Sequence, residues 1–189
     1  QNLTEYDGNC LFETFKLLNL TNNINHFRNG IALFMYNFKD YENLFKDQTE
    51  TLEELFNLTN EIEYVKNTSD DKIYKYNYDL MCEDLAHDTN WDRLPTELLL
   101  MVISYIYNIE IKIYNNKNTY ITNICTTENI KETIYIGHLL EYHYLPLVQL
   151  NTENTENITD NRIYYNDAKK LFFNWGNYIE HEKYVNKLK

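Results

Sequence analysis

The stretch Asp7-Gly8-Asn9-Cys10-Leu11-Phe12-Glu13-Thr14-Phe15-Lys16-Leu17-Leu18 joins a glycine-bearing turn to a helical repeat, with a cysteine at the junction. Leu11, Phe15 and Leu18 recur at helical spacing, which predicts a helix over 10–20 with one face anchored in a core. A thiol in the first turn of a helix feels the positive end of the helix dipole. That position favours thiolate, and a nearby imidazole lowers the thiol pKa further. The thiolate is the attacking species in covalent catalysis. A glycine turn just before the helix lets backbone N–H groups converge on one point, as an oxyanion hole requires. Far downstream, His143-Tyr144-Leu145-Pro146-Leu147-Val148 supplies an imidazole on an apolar strand pattern. The competing reading of any single cysteine is a small, buried, apolar residue.

Working outward, residues 24–47 and 50–66 read as amphipathic helices. The first carries Phe27, Ile31, Phe34 and Phe38, the second Leu52, Leu55, Phe56 and Ile62. Thr68-Ser69-Asp70-Asp71 reads as a turn or N-cap cluster before a helix over 72–87. Pro95 fits a first helical position, with Thr96 and Glu97 in the first turn and the helix running through Tyr107 to Asn108. Ile109 to Tyr114 alternates apolar and polar, as a half-buried strand does. A turn at 115–118 leads to a strand over 119–125, and residues 133–138 and 140–149 complete a sheet around Gly137. Helices ahead of a run of strands predict an α+β (mixed α/β) domain with helices packed around a small central β-sheet. The expected organisation is one domain over 1–150, a polar linker or loop over 151–165 containing NTENTEN, and a C-terminal helix over 166–189. Leu171, Phe172, Trp175, Tyr178 and Ile179 give that last helix an apolar face, expected to pack back on the core, the alternative being an interaction element for an absent partner.

At 189 residues the chain can hold one domain with a real core plus a tail. Its net charge of −12 argues against a nucleic-acid partner, because phosphate binding draws on Lys and Arg. An acidic surface suits a basic protein partner. Cys10, Cys82 and Cys125 are too scattered for a disulfide framework or a zinc site, which fits a reducing compartment. No metal or cofactor is expected: glycine is too rare for a phosphate-cradling loop, and Gly-x-Ser-x-Gly does not occur. The chain has no apolar run near the ~18 residues a membrane span needs. Cytoplasmic, membrane-free function is therefore expected, and the oligomeric state stays open. The abundance of Asn, Ile, Tyr and Lys tracks AT-rich codons and points to a virus, parasite or endosymbiont as source. A motif only seven residues in is expected to belong to a larger protein with domains upstream.

Asp7-Gly8-Asn9-Cys10-Leu11-Phe12, then Trp91 with Glu97-Leu98 leading into Ile109–Tyr114, then His143-Tyr144, resemble the OTU (ovarian tumour) family of cysteine proteases in type and order. The resemblance spans roughly residues 7–148. It implies a papain-like OTU fold and a cysteine isopeptidase, a deubiquitinase that removes ubiquitin or a ubiquitin-like modifier from proteins or chains. A pathogen's enzyme of this kind would work in the host cytoplasm. By motif match Cys10 is the nucleophile, His143 the general base, and Asp7, Gly8 and Asn9 the loop carrying oxyanion donors, with Asp7 counted in the catalytic set. Trp91 becomes a core residue or substrate-site wall, and Glu97 a helix-start charge.

Many family members carry Asp, Asn or Glu two residues after the histidine, where this chain has Leu145. Glu141, two residues before His143, shares its face by period-two alternation and could orient the imidazole instead. A Cys–His dyad, with a backbone carbonyl or remote Asn fixing the tautomer, is the other arrangement. Among the remaining histidines, His26, His87, His138 and His181, the rival base is His138, five residues upstream in the same strand region. Two further functions are compatible with the resemblance: an OTU-fold ubiquitin-binding module with weak or no turnover, motivated by Leu145, and a viral polyprotein-processing protease.

Overall fold

The structure is a computed structural model that describes residues 9–67, 69–87, 93–115, 122–139 and 143–147. Asp7, Gly8, Trp91, Glu141, the linker over 151–165 and the helix over 166–189 lie outside the described residues. The first element is α1 (Cys10–Leu17), which buries Leu11, Phe12, Thr14 and Phe15. Next comes α2 (Ile24–Asn37), capped where the Asn23 side chain accepts from the His26 N–H. Helix α3 (Leu52–Thr59) opens on a capping box: the Glu54 N–H donates to Thr51, and the Thr51 N–H to the Glu54 carboxylate. This reciprocal pair satisfies two amides that a helix start would otherwise leave open.

Both of these helices stop short of the expected ends, α2 at Asn37 and α3 at Thr59. Beyond α2, Asn43 and Asp47 take left-handed backbone conformations (φ 53° and 57°), which a continuing helix cannot hold. Phe34 and Phe38 nonetheless stack, at 4.6 Å between centroids. After α3 comes an antiparallel hairpin of β1 (Tyr64–Lys66) and β2 (Ile73–Lys75), with Val65 opposite Tyr74. Residues expected at the end of one helix and the start of the next are thus strands. Alternating aromatic, β-branched and Lys residues suit a ribbon, and the polar cluster between them closes it. Asp70 accepts from the Lys72 N–H, Asn67 accepts from the Ser69 N–H, and Asp71 sits at φ 59°. Only then does α4 (Tyr78–Ala86) begin, capped by Asn77 accepting from the Leu80 N–H.

Helix α5 (Thr96–Tyr107) is the most apolar and lies against the sheet, with Leu99, Val102 and Ile103 fully buried. Pro95 is its N-cap, one position earlier than the sequence suggests. It ends at Asn108 in the left-handed conformation (φ 53°, ψ 49°), a stop that Asn tolerates. The strands are β3 (Ile109–Asn115), β4 (Thr122–Ile124), β5 (Glu132–Leu139) and β6 (His143–Leu147), in the order β4-β3-β5-β6. β3 runs parallel to β5, and the other two pairings are antiparallel.

Register assigns the faces. Ile111 opposes Ile134 and Ile113 opposes Ile136, so these isoleucines line one side, together with Ile109. They join α1, α2, α3, α4 and α5 in one apolar cluster that includes Leu11, Phe12, Phe15, Phe27, Met35, Phe56, Leu85 and Tyr144. All five residues of β6 are buried although it ends the sheet. The chain is therefore of mixed α+β class, with helices gathered on a four-stranded sheet.

Candidate active site

Cys10 is the first residue of α1, and His143 is the first residue of β6. Helix α1 packs along β6, so two segments more than 130 positions apart in sequence meet in the fold. The anchor of α1 is its apolar face: Leu11, Phe12 and Phe15 have no exposed surface, whereas Cys10 is half-buried. A thiol held this way is backed by core yet reachable, as a nucleophile has to be. Thr14 donates its hydroxyl to the Cys10 carbonyl at 2.8 Å, within the first turn.

The start of α1 is built in an unusual way. Asn9 is the N-cap, and its carbonyl accepts from the Glu13 N–H at 2.7 Å. Its side chain, however, makes no bond to the first turn. Asn at this position ordinarily turns its oxygen onto the amide two or three residues on. Here the Asn9 Oδ1 accepts instead from Arg28 Nη1 at 2.8 Å. The first-turn amides of a helix have no intrahelical acceptor, and the residue best placed to cover them is drawn away.

Arg28 is a fully buried guanidinium on α2. Its Nε donates to the Leu85 carbonyl at 2.8 Å and its Nη2 to the carbonyls of Asp84, at 3.1 Å, and His87. These oxygens lie at the C-terminal end of α4, the negative end of the helix dipole, where α4 has no basic residue of its own. The guanidinium carbon also lies 4.7 Å from the centre of the Phe12 ring. Hydrogen bonds to a charged donor contribute ~1.5–3 kcal/mol each, which offsets the cost of burying the cation. Asp84 turns its carboxylate to Arg93 at 3.1 Å, tying the segment before α5 to the same helix end.

On the sheet side, Tyr144 is directly opposite His138, and their rings stack. Tyr144 belongs to the apolar cluster shared with α1. Burial holds its phenol well above the usual range, the charge of a Cys10 thiolate pushes in the same direction, and a Thr96 hydrogen bond acts against both. The Tyr144 phenol thus feels both Cys10, at the start of α1, and Thr96, at the start of α5. Successive strand residues alternate faces, so His143 and Leu145 take the side opposite to Tyr144. Both are 4 % exposed. Leu145 is opposite Gly137.

The other thiols differ in kind. Burial, and after it the charge of Asp79, pushes the Cys82 thiol up to about 12. Cys125 is half-buried, with its Sγ 3.5 Å from the Thr127 carbonyl. Glu97 is exposed in the first turn of α5, where a carboxylate complements the helix dipole. Among the described residues no group of three or more His, Cys, Asp or Glu is gathered to hold a metal ion, and no helix is long and apolar enough to cross a membrane.

Sequence reasoning passed over Arg28, although a signal was present. Arg28, Ile31, Ala32 and Met35 occupy positions i, i+3, i+4 and i+7, so a cation stands in the apolar stripe of α2. A charge there has to find several buried acceptors. Compared with known proteins, the chain matches no family model, no curated protein sequence and no solved structure.

Proposed function

We propose that this chain is a cysteine isopeptidase with a papain-like fold of OTU type, removing ubiquitin or a ubiquitin-like modifier from proteins or chains. The reading is supported by an element-level contact: the helix that the half-buried Cys10 begins packs along the strand that His143 begins, Tyr144 being the residue of that strand in the apolar cluster with α1. In the proposed reaction the Cys10 thiolate attacks the isopeptide carbonyl, forming a C–S bond while the carbonyl π electrons move onto oxygen. Amides around the start of α1 hold that oxyanion. As it collapses, the C–N bond breaks and the lysine amine leaves with a proton from the His143 imidazolium. Water, deprotonated by His143, then cleaves the thioester and returns the thiolate. The acidic chain, at −12, complements a basic partner and favours fast encounter. We place the activity in the cytoplasm, of a host cell if the source is a pathogen.

Leu145 motivates a second reading. It is an apolar residue, almost fully buried, where an orienting carboxylate or amide would stand. With no orienter the domain would bind the modifier and turn over poorly. Incubation with a panel of di-ubiquitins, followed by gel electrophoresis, separates the two. The isopeptidase releases mono-ubiquitin from at least one linkage, and Cys10→Ala releases none. Binding without release by the wild type would favour the module.

A further inference from the structure

We infer that Arg28 is a positioning residue for the nucleophile loop, an assignment that rests on the isopeptidase reading above. The guanidinium is a buried bridge between two parts of the chain. Nε and Nη2 are fixed by the carbonyls of Asp84, Leu85 and His87 at the end of α4, and Nη1 reaches Asn9, the residue immediately before Cys10. The planar fork sits against the Phe12 ring, so its direction is set by packing as well as by hydrogen bonds. Asn9 therefore cannot swing its oxygen onto the first-turn amides of α1, where an Asn N-cap usually puts it. The consequence is positional: Asn9 is anchored to the end of α4 through Arg28, so the start of α1 and the Cys10 thiol keep their place as the reacting carbonyl arrives. Lys could not do this, since one ammonium cannot span both helix ends in a fixed plane.

A purely structural Arg28 would change stability and leave the chemistry per folded molecule unchanged. The test accordingly uses Asn9, the arm's far end, where a substitution leaves the buried bonds to α4 intact. Turnover of ubiquitin carrying a C-terminal aminocoumarin amide is measured for wild type, Asn9→Ala, Asn9→Asp and Arg28→Lys, alongside melting temperature. Asn9→Ala should lower kcat roughly 10- to 100-fold, with KM within about twofold of wild type. Asn9→Asp keeps the acceptor and should recover kcat to within about fivefold of wild type. Arg28→Lys should lose both kcat and melting temperature. Wild-type kcat in Asn9→Ala, or an Asn9→Asp no better than Asn9→Ala, overturns the assignment while leaving the isopeptidase reading in place. A wild type that neither turns over nor reacts with ubiquitin probes overturns both together.

Discussion

His138 and Tyr144 stack face to face across the β5–β6 ladder, ring centroids 4.4 Å apart and 5° from parallel. The stack gives His138 a packing role between strands, on the face of Tyr144 that joins the α1 cluster. His138→Ala should therefore cost ~1 kcal/mol, roughly 2–4 °C in melting temperature, and keep turnover within about tenfold. His143→Ala should lower kcat by about 10³ or more, with the fold intact by circular dichroism. The reverse pattern would put the base on the Tyr144 face and make His138 the general base.

The three cysteines should separate by reactivity. Cys82 is buried and its thiol is pushed up to about 12, so it is protonated at neutral pH. With limiting iodoacetamide at pH 7.5, peptide mass spectrometry should find Cys10 alkylated first and Cys82 unmodified until the protein is denatured. Cys82 reacting as fast as Cys10 in the folded chain would contradict the packing of α4.

Alkaline stability follows from the same burial. Cys82, Tyr76, Tyr78 and Tyr144 all have folded-state values raised above their ordinary ones, chiefly by desolvation. Once the pH passes the ordinary values of 9.0 for Cys and 10.0 for Tyr, the unfolded chain releases these protons and the folded chain keeps them. The unfolded state then binds fewer protons, so stability falls as pH rises. Melting temperature should be level from pH 7 to 8.5 and drop steeply above about pH 9.5. A flat profile to pH 11 would contradict the burial of these groups.

The apolar residue at position 145 is tested by exchanging it for a carboxylate. A carboxylate there shares a face with His143 and pays a desolvation cost unless the imidazole pairs with it. In a dyad, Leu145→Asp should raise kcat severalfold while lowering melting temperature, and Glu141→Gln should be silent. A loss of one or more powers of ten in Glu141→Gln, at ~1.4 kcal/mol per power, would instead make Glu141 the orienter.

How much of this was legible follows from which forces act locally. The α1 stripe, the Asn108 stop and the β3 alternation could be read because helix periodicity, a left-handed cap and strand pleating are written in neighbouring residues. The β1–β2 hairpin was missed because Ile62, Val65 and Tyr74 fit a helical stripe as well as a short ribbon, and the turn polar groups of 67–71 resemble a helix cap. Cys10 and His143 were named from the motif and its resemblance. Arg28 was not, since its partners lie 19 to 59 positions away and only the packing of α1, α2 and α4 brings them to one guanidinium. That His143 and Tyr144 take opposite faces follows from strand alternation, but that Tyr144 pairs with His138 depends on register with β5, which a single strand cannot disclose.

The central claim, that Cys10 is a nucleophile aimed at a ubiquitin-type C-terminus, is tested most directly with ubiquitin whose C-terminal glycine is replaced by a propargyl or vinyl electrophile. Intact-mass spectrometry should show wild type shifted by one ubiquitin, the adduct mapped to Cys10, and Cys10→Ala unshifted. An adduct that persists in Cys10→Ala, or no adduct with ubiquitin or any ubiquitin-like probe, would contradict the account.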